Sequence, residues 1–221
     1  MNVTQRLMEL DPSLVLHNEG EWSGTVSNYS AFNDGGVECE IGEFFYAMLR
    51  MIKPFHVLET GTHQGVGAAY MGMALKDNGM GVLDTIEFID VHHQFSLERM
   101  RKLGLDSNVT CHYGDVANWE PTIPKYQFIL LDTEPQTRFA EFVKFFPYLE
   151  DGGYIFIHDL HRHMQQIEIP GQEFAWPYGK LPVEIQQLFS QGKIRPFHFT
   201  TPRGLTGFYK VKEEDYVWPQ V

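Results

Sequence analysis

The chain has 221 residues, 43% of them hydrophobic, and a formal net charge of −12. That length fits one domain with a substantial core, and no uninterrupted apolar run reaches membrane-spanning length, so no membrane partner is expected. So acidic a chain disfavours a nucleic-acid partner, which needs basic patches; the richest short piece, Arg99-Met100-Arg101-Lys102, reads as one face of a helix.

The stretch from Met1 to Leu10 carries charges and lacks the apolar centre of a signal peptide, which predicts a cytoplasmic protein. Cys39 and Cys111 fall in different predicted elements without metal-ligand spacing and read as buried thiols. Residues 1–36 read as an irregular N-terminal arm, with Gly, Asn and Ser concentrated over 18–36. Trp22 and Phe32 sit in that polar stretch, where the arm either packs on its own domain or covers a substrate pocket. The remainder, 37–221, reads as a single domain.

Ile41, Phe44, Phe45, Met48, Leu49 and Ile52 recur at helical spacing, which predicts a helix over 38–52 ended by Pro54. A strand follows at 55–59, then a glycine turn and a helix to about residue 76, stopped by Asp77-Asn78-Gly79. Further strands are expected at 81–88, 109–113, 127–131 and 154–158, with helices at 93–103 and 137–149. Strands alternating with helices imply an α/β fold with a mostly parallel, doubly wound, Rossmann-like sheet. The end differs: a helix over 181–189, then apolar runs at 194–200 and 205–211 around Thr201-Pro202-Arg203-Gly204, which read as an antiparallel hairpin.

The most informative stretch is Val57-Leu58-Glu59-Thr60-Gly61-Thr62-His63-Gln64-Gly65-Val66-Gly67. A buried strand that runs into a glycine turn and a helix N-terminus is a nucleotide-cradling unit. Gly61 permits the tight turn, and Gly65 lets a ligand approach the backbone. The pattern is acid-x-G-x-x-x-G rather than the G-x-G-x-x-G of dinucleotide sites. An acid before the turn repels a pyrophosphate and attracts an ammonium, which suits a nucleoside with a cationic amino-acid tail. The stretch resembles the first motif of class I S-adenosylmethionine-dependent methyltransferases.

Ligands of open parallel sheets bind beyond the carboxyl ends of the strands. An acid stands at or just past each of those ends: Glu59, Glu87, Asp115, Asp132 and Asp159. Glu87 can accept hydrogen bonds from both hydroxyls of a ribose, and Asp115 from an adenine amino group. Asp132 and Asp159 are expected on neighbouring strands roughly 5 Å apart. Two carboxylates that close must share a proton, gain an Arg or Lys partner, or bind a cation. Neither has a basic neighbour on its own strand, and oxygen ligation suits Mg²⁺, which can lower the pKa of a substrate hydroxyl. The alternative is one acid capping a helix and the other in solvent. His158, His161 and His163 flank Asp159, and His161, just past the strand end, is the candidate base or metal ligand.

With the first motif, Asp132, Gly152-Gly153 and Asp159 resemble metal-dependent O-methyltransferases of the catechol and caffeoyl-CoA type. They equally resemble the antibiotic and sugar O-methyltransferases grouped with the so-called cephalosporin hydroxylases. The resemblance runs from Glu38 to Val211, most strongly over 57–67, 85–87 and 128–159. It implies that Glu59, Gly61 and Gly65 hold the methionine tail of S-adenosyl-L-methionine, that Glu87 binds ribose, and that Asp115 sits near adenine. Thr62, Phe88, Val116 and Asp132 complete the candidate cofactor set. Asp132 and Asp159, with His161, are the candidate ligands of Mg²⁺, and His161 and Asp132 the candidate catalytic pair. The catechol group has a lysine after its first metal aspartate, where this chain has Thr133-Glu134-Pro135-Gln136, and an asparagine after the second, where Leu160 stands. Those departures favour His161 and the antibiotic/sugar branch.

An aromatic insertion near 165–180, with Phe174, Trp176 and Tyr178, either clamps a flat or sugar ring or buries against the sheet edge or a second subunit. The expected activity is methyl transfer to a hydroxyl of a small molecule: a phenol, a sugar or an antibiotic-like metabolite. A homodimer is compatible with the resemblance, with no interface legible in the sequence. Three other readings stay open: an NAD(P)-dependent oxidoreductase, a metal-dependent hydrolase or oxygenase built on the 158–163 histidines, and a cofactor-binding protein without catalysis.

Overall fold

The computed structural model describes residues 1–19, 29–33, 35–160, 182–199 and 201–212. Its centre is a seven-stranded sheet in the order β5-β4-β3-β6-β7-β9-β8. The strands are β3 (His56–Thr60), β4 (Val82–Glu87), β5 (Val109–Tyr113), β6 (Tyr126–Leu131), β7 (Leu149–His158), β8 (Ile194–Phe199) and β9 (Leu205–Lys210). The first five run parallel, and β9 lies antiparallel between β7 and β8. The expected doubly wound sheet with its closing hairpin is therefore the observed fold. A small separate pair, β1 (His17–Glu19) with β2 (Tyr29–Ala31), precedes it.

Both faces of the sheet are covered, which is why its strands read as continuous apolar runs. Side chains alternate between the two faces. Val57, Phe128, Leu130 and Phe156 meet α1 (Val3–Leu10), α2 (Cys39–Ile52), α3 (Val66–Asn78) and α4 (Asp90–Leu103). Leu58, Ile129, Leu131, Ile155 and Ile157 meet Phe139, Phe142 and Phe145 of α5 (Arg138–Phe145) and Ile185 of α6 (Val183–Ser190). Each of those five strand residues is fully buried, so each contributes about 1.5–3 kcal/mol relative to exposure. No helix among the described residues is long and apolar enough to cross a membrane.

Two differences from the sequence reading bear on the site. The 1–36 stretch contains a helix, α1, closed by an Asn2–Gln5 capping box and docked through buried Leu7. Its polar residues hide the period because they are used: Thr4 bonds Tyr70 (2.8 Å) and Glu43 (2.6 Å), and Arg6 pairs with Asp77. Phe32 is buried in the same core, whereas Trp22 lies outside the described residues. Second, the strand expected at 154–158 starts earlier, and Asp151-Gly152-Gly153 is part of it. That strand is the ten-residue β7, and the β6–β7 register shifts between Tyr126 and Phe128.

The chain steps outward from β3 to β4 to β5, then returns across β3 to β6. The carboxyl ends of β3 and β6 therefore flank the point where the winding reverses, which is where open α/β sheets leave a crevice.

Candidate active site

A cleft of about 810 Å³ opens at that point. Its walls include Gly61, His63, Glu87, Phe88, Asp115 and Val116 on one side. Asp132, Thr133, Arg138, Asp159 and Arg203 line the other. The cleft thus gathers four of the five strand-end acids in the sequence pattern, Glu87, Asp115, Asp132 and Asp159, without Glu59. Volumes of this order hold drug-sized ligands.

The turn between β3 and α3 is shaped by Gly61, with φ of +82°. A Cβ there would stand 2.3 Å from the Asp132 carbonyl oxygen, so only glycine lets the turn pass this close to the backbone that follows β6. The amides of Gly61 and Thr62 both donate to the Ile86 carbonyl, at 3.0 and 3.1 Å. Next to them His63, also at positive φ, donates its backbone N–H to Glu87 at 2.7 Å. Ile89 N–H donates to the other Glu87 oxygen at 2.8 Å. Glu87 is 5% exposed and faces the cleft with its orientation fixed from both sides, and each oxygen retains a further acceptor position. Phe88 projects beside it, 61% exposed. Asp115 is exposed and accepts from Ala117 N–H (2.9 Å), while Val116 is buried in the cleft wall.

Three expected cofactor residues stand elsewhere. Glu59 does not line the cleft. It is buried beneath α3, where a Cβ on Gly67 would come 2.3 Å from its Oε1. Thr85 donates to it at 2.5 Å and in turn meets Thr62 Oγ1 at 2.5 Å. Burial, together with the charges of Asp132 and Glu87, pushes the Glu59 carboxyl up to about 8 against the opposing Thr85 hydrogen bond. Its carboxyl is turned inward, away from the cleft where the sequence reading placed an ammonium. Thr62 supports the same buried chain. Gly65 faces Ser96 and Met100 of α4, so the approach it permits is between helices rather than to a ligand.

Asp132 and Asp159 do converge, and with His158 they offer donor atoms all within 4.8 Å of one another. The sequence left three ways to settle two adjacent carboxylates, and the structure takes the second. Arg138, at the start of α5, lies 3.1 Å from Asp132 Oδ1 and 3.1 Å from Asp159 Oδ2. Arg203, from the turn between β8 and β9, donates to Asp159 Oδ2 at 2.8 Å, and its Nε lies 2.7 Å from Oδ1. His158, wholly buried, places Nδ1 2.8 Å from Asp132 and Nε2 2.6 Å from Glu38. Burial works to lower the imidazole, but Asp132, Asp159 and Glu38 outweigh it and raise it to about 10. Burial likewise opposes ionisation of Asp159, yet His158, Arg138 and Arg203 hold it well below the usual carboxylate range.

The residues present therefore do not fit Mg²⁺, the cation implied by the sequence resemblance. That ion demands oxygen ligands and retained waters. Here both carboxylates are already paired with guanidinium groups. Two carboxylate oxygens, Glu38 Oε1 and Asp159 Oδ1, lack an aligned hydrogen bond, and Arg203 Nε stands 2.7 Å from the second. His161, the expected third ligand and base, lies outside the described residues, as do His163, Phe174, Trp176 and Tyr178.

Glu38, Arg138 and Arg203 were not legible as site residues. They lie 120, 20 and 44 positions from the residues they bond. A basic residue opening a helix and another in a Pro/Gly turn were the only local signals. His63 was also missed. Its ring lines the cleft and meets the His92 ring at 4.2 Å between centroids. Burial and the neighbouring His92 lower its pKa.

Residues 58–160 match the sequence profile of a methyltransferase domain family. No curated protein sequence matches the chain. Solved structures share its fold at low identity. A Klebsiella pneumoniae protein assigned as an O-methyltransferase has a TM-score of 0.68 at 17% identity, over 96% of this chain and 91% of the other. The O-methyltransferase TomG of Streptomyces achromogenes, solved with S-adenosylmethionine, gives 0.68 at 15% identity, over 81% and 83%. The O-methyltransferase of Bacillus cereus, solved with S-adenosylhomocysteine, gives 0.65 at 14% identity, over 94% and 90%.

Proposed function

We propose that this chain, whose residues 58–160 match a methyltransferase domain family, methylates a hydroxyl of a small molecule with S-adenosyl-L-methionine. The observation that carries the reading is Glu87: an ionisable acid at the tip of β4, fixed by two backbone donors and turned into the switch-point cleft. Its free acceptor positions suit a ribose diol. Asp115 and Val116, after β5, border the region suited to adenine, and Phe88 offers an aromatic face there. Gly61 keeps the backbone close to the cofactor's tail.

The cofactor, when bound, supplies a methyl group made electrophilic by its sulfonium. The chain then has to orient an acceptor oxygen, receive its proton and exclude water. Asp132 stands where these tasks meet. It lines the cleft, and His158 and Arg138 fix one of its oxygens, leaving the other to accept from an acceptor hydroxyl. His161, two residues past Asp159, is the second candidate for the base. An acidic chain of this size favours a small acceptor over a nucleic acid.

The test is transfer of labelled methyl from S-adenosylmethionine to a panel of phenols, sugars and glycosylated metabolites. Turnover with at least one hydroxyl acceptor, lost in Asp132→Asn while cofactor binding persists, supports the reading. Methylation of amines alone would contradict it.

A further inference from the structure

The geometry points to methyl transfer without a divalent cation: the guanidinium groups of Arg138 and Arg203 take up the Asp132 and Asp159 carboxylates that would otherwise ligate one. The inference rests on the proposed methyltransferase reading and concerns the same site.

Charge is the first ground. Two carboxylates face two guanidinium groups, and arginine stays charged at any pH a protein survives. The four charges cancel, so the arginines oppose the attraction of the acids for an added dication. Anchoring is the second. Arg138 Nε donates to the Thr133 carbonyl at 2.7 Å, and its other nitrogens reach the Thr133 and His158 carbonyls. Arg203 donates to the Gly36 carbonyl at 2.6 Å. These side chains are spent on backbone acceptors as well as on the acids, so neither swings aside without leaving carbonyls unpaired. Ligand supply is the third. Both His158 ring nitrogens are already engaged, Nδ1 by Asp132 at 2.8 Å and Nε2 by Glu38 at 2.6 Å.

In this arrangement Arg138 is a positioning residue. It stands in the cleft wall beside Asp132 and holds that carboxylate in one orientation, the task a bound cation would otherwise perform.

The test uses the full chain and Mn²⁺ as probe, followed by the paramagnetic resonance of the free aqueous ion. The expected result is an undiminished free-ion signal at equimolar protein. Stoichiometric loss of that signal at micromolar Mn²⁺, abolished by Asp159→Asn, would overturn the inference. Arg203→Met, checked for fold by circular dichroism, is expected to gain Mn²⁺ affinity by about tenfold or more, since it frees a hard oxygen ligand. A folded Arg203→Met that gains none would also overturn it, and if that variant fails to fold the wild-type titration decides. S-Adenosylhomocysteine calorimetry in chelator and in Mg²⁺ separates this inference from the reading beneath it. Equal affinity in both supports the inference, and binding only with Mg²⁺ sinks it alone. No binding in either sinks the methyltransferase reading and leaves the Mn²⁺ result standing.

Discussion

The backbone N–H of His63 donates to the Glu87 carboxylate at 2.7 Å, so the turn after β3 and the acid that ends β4 form one unit. Glycine-turn and strand-end acid are usually read as two separate motifs. Here the first aims the second, and a change in either should be felt at the ribose end of the cleft.

Glu87→Ala removes two charge-assisted acceptors and leaves the amides of His63 and Ile89 without their partner. Loss of about 2 kcal/mol, roughly thirtyfold in S-adenosylhomocysteine affinity, is expected. Calorimetry reads it, and circular dichroism should show an unchanged fold.

Gly61→Ala combines a positive φ with a 2.3 Å approach to the Asp132 carbonyl. It should cost more than ~1 kcal/mol and lower the melting temperature by at least about 2–4 °C, which a thermal scan measures. Cofactor affinity should fall as well, because the turn whose His63 amide aims Glu87 is displaced.

The buried Glu59 sets a pH dependence. Its carboxyl rises from an ordinary 4.5 to about 8 in the folded protein. Between those values the folded state holds a proton that the unfolded state has released. Stability therefore declines as pH rises from about 4.5 to 8, by at most ~1.4 kcal/mol per pH unit from this group. Above that window the loss is complete. Denaturant midpoints across the range, compared with Glu59→Gln, isolate the contribution: the amide keeps an acceptor for Thr85 and should flatten the decline.

Arg138→Met strips a buried cation from two buried carboxylates. Breaking such a pair from one side leaves uncompensated charge, and about 3 kcal/mol of stability should be lost in chemical denaturation.

The sheet, the hairpin and the acids at the strand ends were legible because they follow from local pattern. Buried parallel strands are apolar runs, and Asp77-Asn78-Gly79 stops a helix wherever it occurs. Glu87, Asp115 and Asp132 were found because strand ends in this topology share one edge. What a side chain faces was harder to read. Glu59 stands one residue before the end of β3, and the alternation of side chains turns it beneath α3, which only the close pass of Gly67 reveals. The partners of Asp159 were illegible for another reason. Ion pairs formed by Arg138 and Arg203 depend on helix and hairpin packing, which no period or spacing encodes.

The most direct test of the central claim is calorimetric titration of the full chain with S-adenosylhomocysteine. The account predicts saturable one-to-one binding in the micromolar range, weakened by Glu87→Ala and indifferent to chelator. A flat titration with the folded wild-type protein would contradict it, because the Gly61 turn and Glu87 would then hold no such nucleoside.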